Sequence, residues 1–222
     1  HRLLLDFTAG YRANRYQTTG LDNLRTSFVS ADVFRVLNPK LSAFLGYRLS
    51  EDDADGTGRS VDQSLTTGLS RQILPKVRGS IRAGWTTRDA RQAATNYSGF
   101  TTTVDLKWTP NTQFSLDLSA DQGVKTAPRG GSLETRSGQL DTSYQVTRKL
   151  TASATLSVGS NRFLDLLGRT DRYVTSKAGL SYHAGKHVTL STSVSQTENR
   201  SNLSVEADYR RRQASASVAY AW

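Results

Sequence analysis

The chain has 222 residues, a formal net charge of +10, and neither cysteine nor methionine. That excludes a disulfide framework and a cysteine-based metal site, and no apolar run is long enough for a transmembrane helix. The low mean hydropathy is compatible with a transmembrane barrel, whose lipid-facing and lumen-facing residues alternate and average out. No composition shift or Pro/Gly/Ser linker divides residues 1–222, which read as a single domain. The chain opens at His1 without a basic and apolar leader pattern, so a processed or trimmed N-terminus, with residues missing upstream, is expected.

Short turns recur at Asn38-Pro39-Lys40, Leu74-Pro75-Lys76, Thr109-Pro110-Asn111, Thr147-Arg148-Lys149 and Ala184-Gly185-Lys186. Their spacing of about 36 residues signals a repeated unit. Longer polar loops lie midway, near residues 17–23, 51–59, 89–96, 122–132, 161–172 and 199–202. Each unit holds two stretches of period-2 alternation, so one unit is one β-hairpin. Three of the four prolines fall in the short turns, where a missing N–H costs no ladder bond.

Taken in chain order, the leg from Leu24 to Leu37 changes phase near Ser30 to Asp32, which predicts a β-bulge. The next leg sets Ala43, Leu45, Tyr47 and Leu49 against Ser42, Gly46, Arg48 and Ser50. Val77, Ile81, Ala83 and Trp85 oppose Arg78, Ser80, Arg82 and Gly84. Phe100, Val104, Leu106 and Trp108 then alternate with Thr101, Thr103, Asp105 and Lys107. The pattern continues with Phe114, Leu116 and Leu118, with Leu150, Leu156 and Val158, and with Val188, Leu190 and Val194. A second phase change near Arg211 to Gln213 predicts another bulge.

With the less regular legs counted, twelve strands are expected. A soluble sandwich places turns roughly every 8–12 residues, whereas these legs average about 18, enough for a ~9–11-residue crossing and its loops. The predicted fold is all-β, a twelve-stranded antiparallel up-and-down transmembrane β-barrel in the bacterial outer membrane. Its short turns would lie on one side and its longer loops outside. Both termini then fall on the short-turn side, and the strand ending at Trp222 is expected to close against the one beginning near Leu3. Trp108, Phe114, Tyr144, Tyr182, Tyr220 and Trp222 lie near the short turns, with Tyr47, Trp85, Phe100 and Tyr209 toward the other strand ends. They read as two interfacial girdles.

The run Ala214, Ala216, Val218, Tyr220, Trp222 resembles the C-terminal strand signal that outer-membrane proteins present to the barrel assembly machinery. Leu106-Lys107-Trp108-Thr109-Pro110, Tyr144-Gln145-Val146-Thr147-Arg148-Lys149-Leu150 and Leu180-Ser181-Tyr182 resemble hairpin motifs of a β-barrel porin family. The likeness covers most of the chain from about Ser60 onward. It implies a barrel fold, the outer membrane and an association with exopolysaccharide export in Gram-negative bacteria. Since members of that family tend to be longer, it also implies that this chain is either a smaller relative or a C-terminal portion of a longer protein.

With apolar faces toward lipid, the alternate positions line the lumen. Arg12, Arg35, Arg48, Arg78, Arg82, Arg88, Lys107, Arg210 and Arg212 are the expected pore-lining, anion-binding residues. Arg78, Arg82 and Arg88 form a ladder on one strand, suited to handing carboxylate or phosphate from one guanidinium to the next. The alternative is that these cations pair with Asp6, Asp62, Asp105, Asp117, Glu206 and Asp208 and only stiffen the wall. Small residues such as Ser42, Gly46, Ser64, Thr66, Gly68, Ser153 and Ser191 favour a narrow water-filled lumen.

Catalytic resources are sparse. His1, His183 and His187 have no metal-ligand spacing, and His183 falls on the inner face, away from the lipid side that a membrane lipase dyad needs. The acidic stretch from Glu51 to Gly58 lacks the EF-hand pattern and reads as a solvated loop. Leu164, Leu166 and Leu167 read as packing on the barrel rim. A nucleic-acid reading rests on charge alone. The expected function is a non-enzymatic porin without metal or cofactor, passing small or oligomeric anionic solutes, among them acidic saccharides. A non-conducting scaffold for a secretion or polysaccharide-export partner is the alternative. The expected partners are outer-membrane lipid and lipopolysaccharide, the barrel assembly machinery, an anionic solute and an export complex.

Overall fold

A computed structural model describes residues 3–17, 22–55, 58–91, 96–127, 131–164, 168–185, 187–203 and 208–220. Trp222, Glu206, Leu166 and Leu167 lie outside the described residues. Twelve strands follow one another: β1 (Leu3–Asn14), β2 (Leu24–Asn38), β3 (Leu41–Ala54), β4 (Gly58–Leu74), β5 (Val77–Ala90) and β6 (Tyr97–Trp108) come first. β7 (Phe114–Thr126), β8 (Ser132–Gln145), β9 (Leu150–Phe163), β10 (Thr170–His183), β11 (Val188–Ser201) and β12 (Tyr209–Tyr220) complete the order. Each pairs antiparallel with its sequence neighbours in one up-and-down sheet.

The expected closure is not present among the described residues: no ladder there joins β12 to β1, and each contributes an edge. Alternation and turn spacing set the hairpins, but closure depends on stagger and curvature, which neither pattern encodes. β12 is exposed along its whole length.

The sheet is curved between β2 and β5. Three strand spacings of about 4.8 Å would separate β2 from β5 by roughly 14 Å in a flat sheet. Arg82 of β5 nevertheless reaches Asp32 of β2 with two hydrogen bonds of 2.9 and 3.0 Å. The sheet therefore curls toward the face carrying Asp32, Arg48, Arg82 and Arg88, which is the inner face.

Both expected bulges are corrected by the register. Pairing of β2 with β3 is continuous from Leu24 to Val36, and its one shift lies between Val36 and Asn38, beside the short turn. Pairing of β11 with β12 is continuous from Val188 to Asn199. The second irregularity is between Gln72 and Leu74 of β4, also beside a short turn. The phase change in β2 arises because Phe28 and Phe34 point inward, where Arg48 stacks 4.0 Å from the Phe28 ring and Phe34 packs 5.4 Å from Phe44. The backbone stays regular while apolar residues change sides.

On the outer face the rows of aromatics take shape. Trp108, Tyr144, Tyr182 and Tyr220 are exposed near the short turns, and Trp108 meets Phe114 edge to face at 6.0 Å. Tyr47, Trp85 and Phe100 form a second row, since Leu65 pairs with Tyr47 and Trp85 with both Leu65 and Phe100. Tyr209, expected in that row, pairs with Asn199 and falls on the inner face. Leu118 lies in the middle of the outer face and Ser119 beside it faces inward. Leu118→Arg should cost about 2–4 kcal/mol at the bilayer midplane, and Ser119→Arg distinctly less. Unfolding titrations in lipid vesicles check this; equal costs would contradict the assignment of faces.

Candidate functional site at the long-loop end of the inner wall

The inner face follows from alternation and from registers that are continuous between the shifts beside two short turns. Arg12 on β1, Arg48 on β3, Arg78, Arg82 and Arg88 on β5, and Lys107 on β6 lie on it, as expected. Arg35, expected inside, shares the outer face of β2 with Val33, because the backbone makes no phase change before it. Arg210 and Arg212 likewise lie on the outer face with Ala214 and Val218, while Arg211 between them faces inward. Lys177 of β10, opposite Ser195, is a further inner cation that the expectation omitted.

Pairing within the inner wall divides the arginines into two kinds. Arg82 holds Asp32 through both nitrogens, bonds Thr66 Oγ1 at 2.9 Å and lies 4.3 Å over the Phe44 ring. Gly46 makes this possible, since a Cβ there would strike the Asp32 carboxylate. Arg88 is almost fully enclosed, with 1% of its side chain exposed. Its Nε and Nη2 donate to the two oxygens of Asp62 at 2.6 Å each, and Nη2 also reaches Asp52 at 3.1 Å. Lys107 pairs with Asp117 at 3.1 Å. Arg78 is exposed near the short-turn end.

Arg88 also organises the far side of the curl. Ladder pairing between β6 and β7 runs only from Trp108 and Leu116 to Thr102 and Gln122. Beyond that point Thr101 Oγ1 donates to the Gln122 carbonyl at 2.9 Å, and the end of β7 leaves the wall. Thr126 then donates to Asp52 Oδ2 at 2.6 Å and accepts from Arg88 Nη1 at 3.1 Å. Asp52 Oδ1 accepts from Thr26 at 2.7 Å. Four strand spacings would put β3 and β7 roughly 19 Å apart in a flat sheet, so the β7 end is folded inward over the wall. The acidic stretch read as a loop is thus partly strand: β3 continues to Ala54 and aims Asp52 inward, while Asp53 faces Arg25 outside at 3.9 Å.

Between the inner wall and the folded β7 end lies a cavity of about 430 Å3. Arg12, Arg48, Arg88 and Lys125 line it with Asp52, Asp62 and Asp121, leaving one positive charge in excess. Asp52 and Asp62 are engaged by Arg88, and Asp121 by Lys125 at 3.1 Å. Neither Arg12 nor Arg48 forms a salt bridge among the described residues. Arg48 is instead braced on Phe28, whose ring lies over Gly10. The charged neighbours of Arg48 are Asp52, Arg82, Asp62 and Arg12. His183 Nδ1 shares a hydrogen bond of 3.0 Å with Thr189 at the opposite end, and no metal-holding group of three or more His, Asp or Glu residues occurs among the described residues.

Twelve up-and-down strands, an apolar outer face with two aromatic rows and a polar inner wall define an outer-membrane β-barrel protein. Residues 52–221 match the family described as Putative beta-barrel porin 2, and the chain belongs to that family of the bacterial outer membrane. A search of curated proteins finds no significant match. Among solved structures, the FrpB iron transporter from Neisseria meningitidis in its F5-1 variant aligns with a TM-score of 0.61 at 11% identity, over 90% of this chain and 42% of that one. The apoprotein form of the same variant aligns with a TM-score of 0.60 at 13% identity, over the same shares. At these identities the likeness is one of fold, and this chain spans about two fifths of the transporters' length.

Removing the Arg88 guanidinium leaves two enclosed carboxylates without their salt-bridge partner. Arg88→Met should therefore destabilise the fold by about 3–5 kcal/mol. Adding Asp52→Asn and Asp62→Asn should recover most of that loss. Urea titration in detergent micelles, followed by tryptophan fluorescence, measures both; a loss under about 1 kcal/mol for the single variant would contradict an enclosed clamp.

Proposed function

We propose that this protein is an outer-membrane channel passing small or oligomeric anionic solutes, acidic saccharides among them, by passive diffusion. The observation that carries this reading is the division of labour among the inner cations. Arg82, Arg88, Lys107 and Lys125 hold carboxylates, whereas Arg12 and Arg48 line the cavity with no salt bridge among the described residues. Guanidinium keeps its charge at any physiological pH and presents a planar fork matched to carboxylate or phosphate. Such groups on a confined wall raise the local anion concentration and lower the barrier to anion entry. The ladder of Arg78, Arg82 and Arg88 is not a continuous relay on this reading, because two of its rungs are engaged.

A second reading is a non-conducting scaffold for a secretion or polysaccharide-export partner. It is favoured by the β7 end, which crosses the inner face at the long-loop side and bonds to Asp52 and Arg88. The two readings part in planar lipid bilayers. Stepwise conductance with a reversal potential displaced toward the anion equilibrium value is expected of the channel, and an electrically silent, fully folded protein would establish the scaffold reading instead. Arg12→Ser with Arg48→Ser should reduce anion over cation permeability several-fold without unfolding the protein. An unchanged reversal potential would remove both residues from the mechanism.

A further inference from the structure

The arginines that the register puts outside mark a second charged surface. Arg172 of β10, Arg200 of β11, and Arg210 and Arg212 of β12 all share the outer face, at the long-loop ends of adjacent strands. Arg172 and Arg200 are direct cross-strand partners. Like charges so placed repel and weaken a sheet. Glu198 offsets part of this, bonding Arg210 at 2.7 Å and approaching Arg200 at 4.0 Å. Arg212 donates to the neutral Gln196 at 3.0 Å. Arg172 has no salt bridge among the described residues. Four arginines thus stand against Glu198 and, at the head of β12, Asp208, which accepts from the Ser201 N–H at 2.6 Å, leaving positive charge in excess on a surface that faces outward.

Their height relative to the apolar belt indicates what they meet. Arg212 and Arg210 stand eight and ten residues from Tyr220 of the short-turn girdle. At ~3.3 Å per residue that is about 26–33 Å along the strand, or roughly 20–25 Å of height at a tilt near 40° in a band ~25 Å tall. The guanidiniums thus reach the far headgroup level, with Val174, Val194 and Ala214 below them on the same face. Long arginine stems lie along apolar surface while their heads stay at the polar boundary. At this level the outer leaflet of a bacterial outer membrane presents phosphorylated lipid headgroups.

We propose that Arg172, Arg200, Arg210 and Arg212 form a docking surface for a bisphosphorylated lipid A headgroup in the outer leaflet. Each phosphate accepts the paired N–H bonds of a guanidinium fork, and an anion between Arg172 and Arg200 turns their repulsion into a bridge. The surface is separate from the cavity of Arg12 and Arg48, so it stands or falls independently of channel activity.

The test uses the refolded full chain, freed of lipopolysaccharide, in micelles of neutral detergent, with bisphosphorylated lipid A as probe. The variant Arg172→Gln, Arg200→Gln, Arg210→Gln, Arg212→Gln should bind at least tenfold more weakly than the parent, and lipid A stripped of its phosphates should bind the parent as weakly. The four-lysine counterpart should retain most of the affinity through charge alone. Heat-modifiable migration on gels reports folding, and if the glutamine variant does not fold, the comparison of phosphorylated with stripped lipid A on the parent decides the matter. Affinity unchanged by phosphate removal would overturn the proposal, as would a folded glutamine variant binding within twofold of the parent. Equal competition by phosphatidylglycerol would overturn the assignment to lipid A.

Discussion

Hydrocarbon offers no hydrogen bonds, so every backbone N–H and C=O that crosses it must be satisfied within protein. From that requirement follow antiparallel strands running from one headgroup layer to the other, the alternation of lipid-facing and inner residues, and the placing of Pro39, Pro75 and Pro110 in short turns. Among the described residues the ladders from β1 to β12 meet it except at the shifts beside two short turns, at the β6–β7 seam and at the edges of β1 and β12. Those exceptions are informative. At the seam, Thr101 satisfies the Gln122 carbonyl with a side chain once the ladder ends. The edges of β1 and β12 retain unpaired backbone groups that a bilayer would not tolerate bare.

Inside the curl the governing interaction is ionic. Arg88 fastens β4 and β3 to β5 and to the inward-folded end of β7, and it does so nearly free of water. A buried pair of this kind contributes little net stability compared with an apolar replacement, but losing one partner is costly. Its effect on function is to take Asp52 and Asp62 out of circulation. The electrostatic character of the cavity then falls to Arg12 and Arg48. On the proposed channel reading, wall stiffening and solute attraction fall to different members of one set of arginines.

The candidate site was partly legible. Asp62 was foreseen as a partner for the arginine ladder, and the inner placement of Arg12, Arg48, Arg82 and Arg88 follows from alternation alone. Asp52 was not, because its acidic surroundings resemble a loop and nothing local announces that β3 runs on to Ala54. Thr126 could not have been found either: it meets Asp52 across 74 positions of sequence, through a departure of β7 from the wall that has no local signature. The misplacement of Arg35 has a specific cause, since inward-facing Phe28 and Phe34 imitate a change of phase. Arg210 and Arg212 mislead for the converse reason: they lie beyond the apolar belt, where the outer face is free to carry charge.

The amino-acid sequence by itself determined the number of hairpins, which residues alternate along most strands, and the row of aromatics at the short turns. These are local properties, set by the two-residue period of a strand and by turn chemistry. Only the tertiary structure decided where the sheet curls, which arginines are spent on carboxylates, how the β7 end covers the inner wall, and that no ladder joins β12 to β1 among the described residues. Such outcomes depend on stagger, on contacts between strands three and four positions apart, and on the competition of several cations for a few carboxylates. No short-range pattern carries that information.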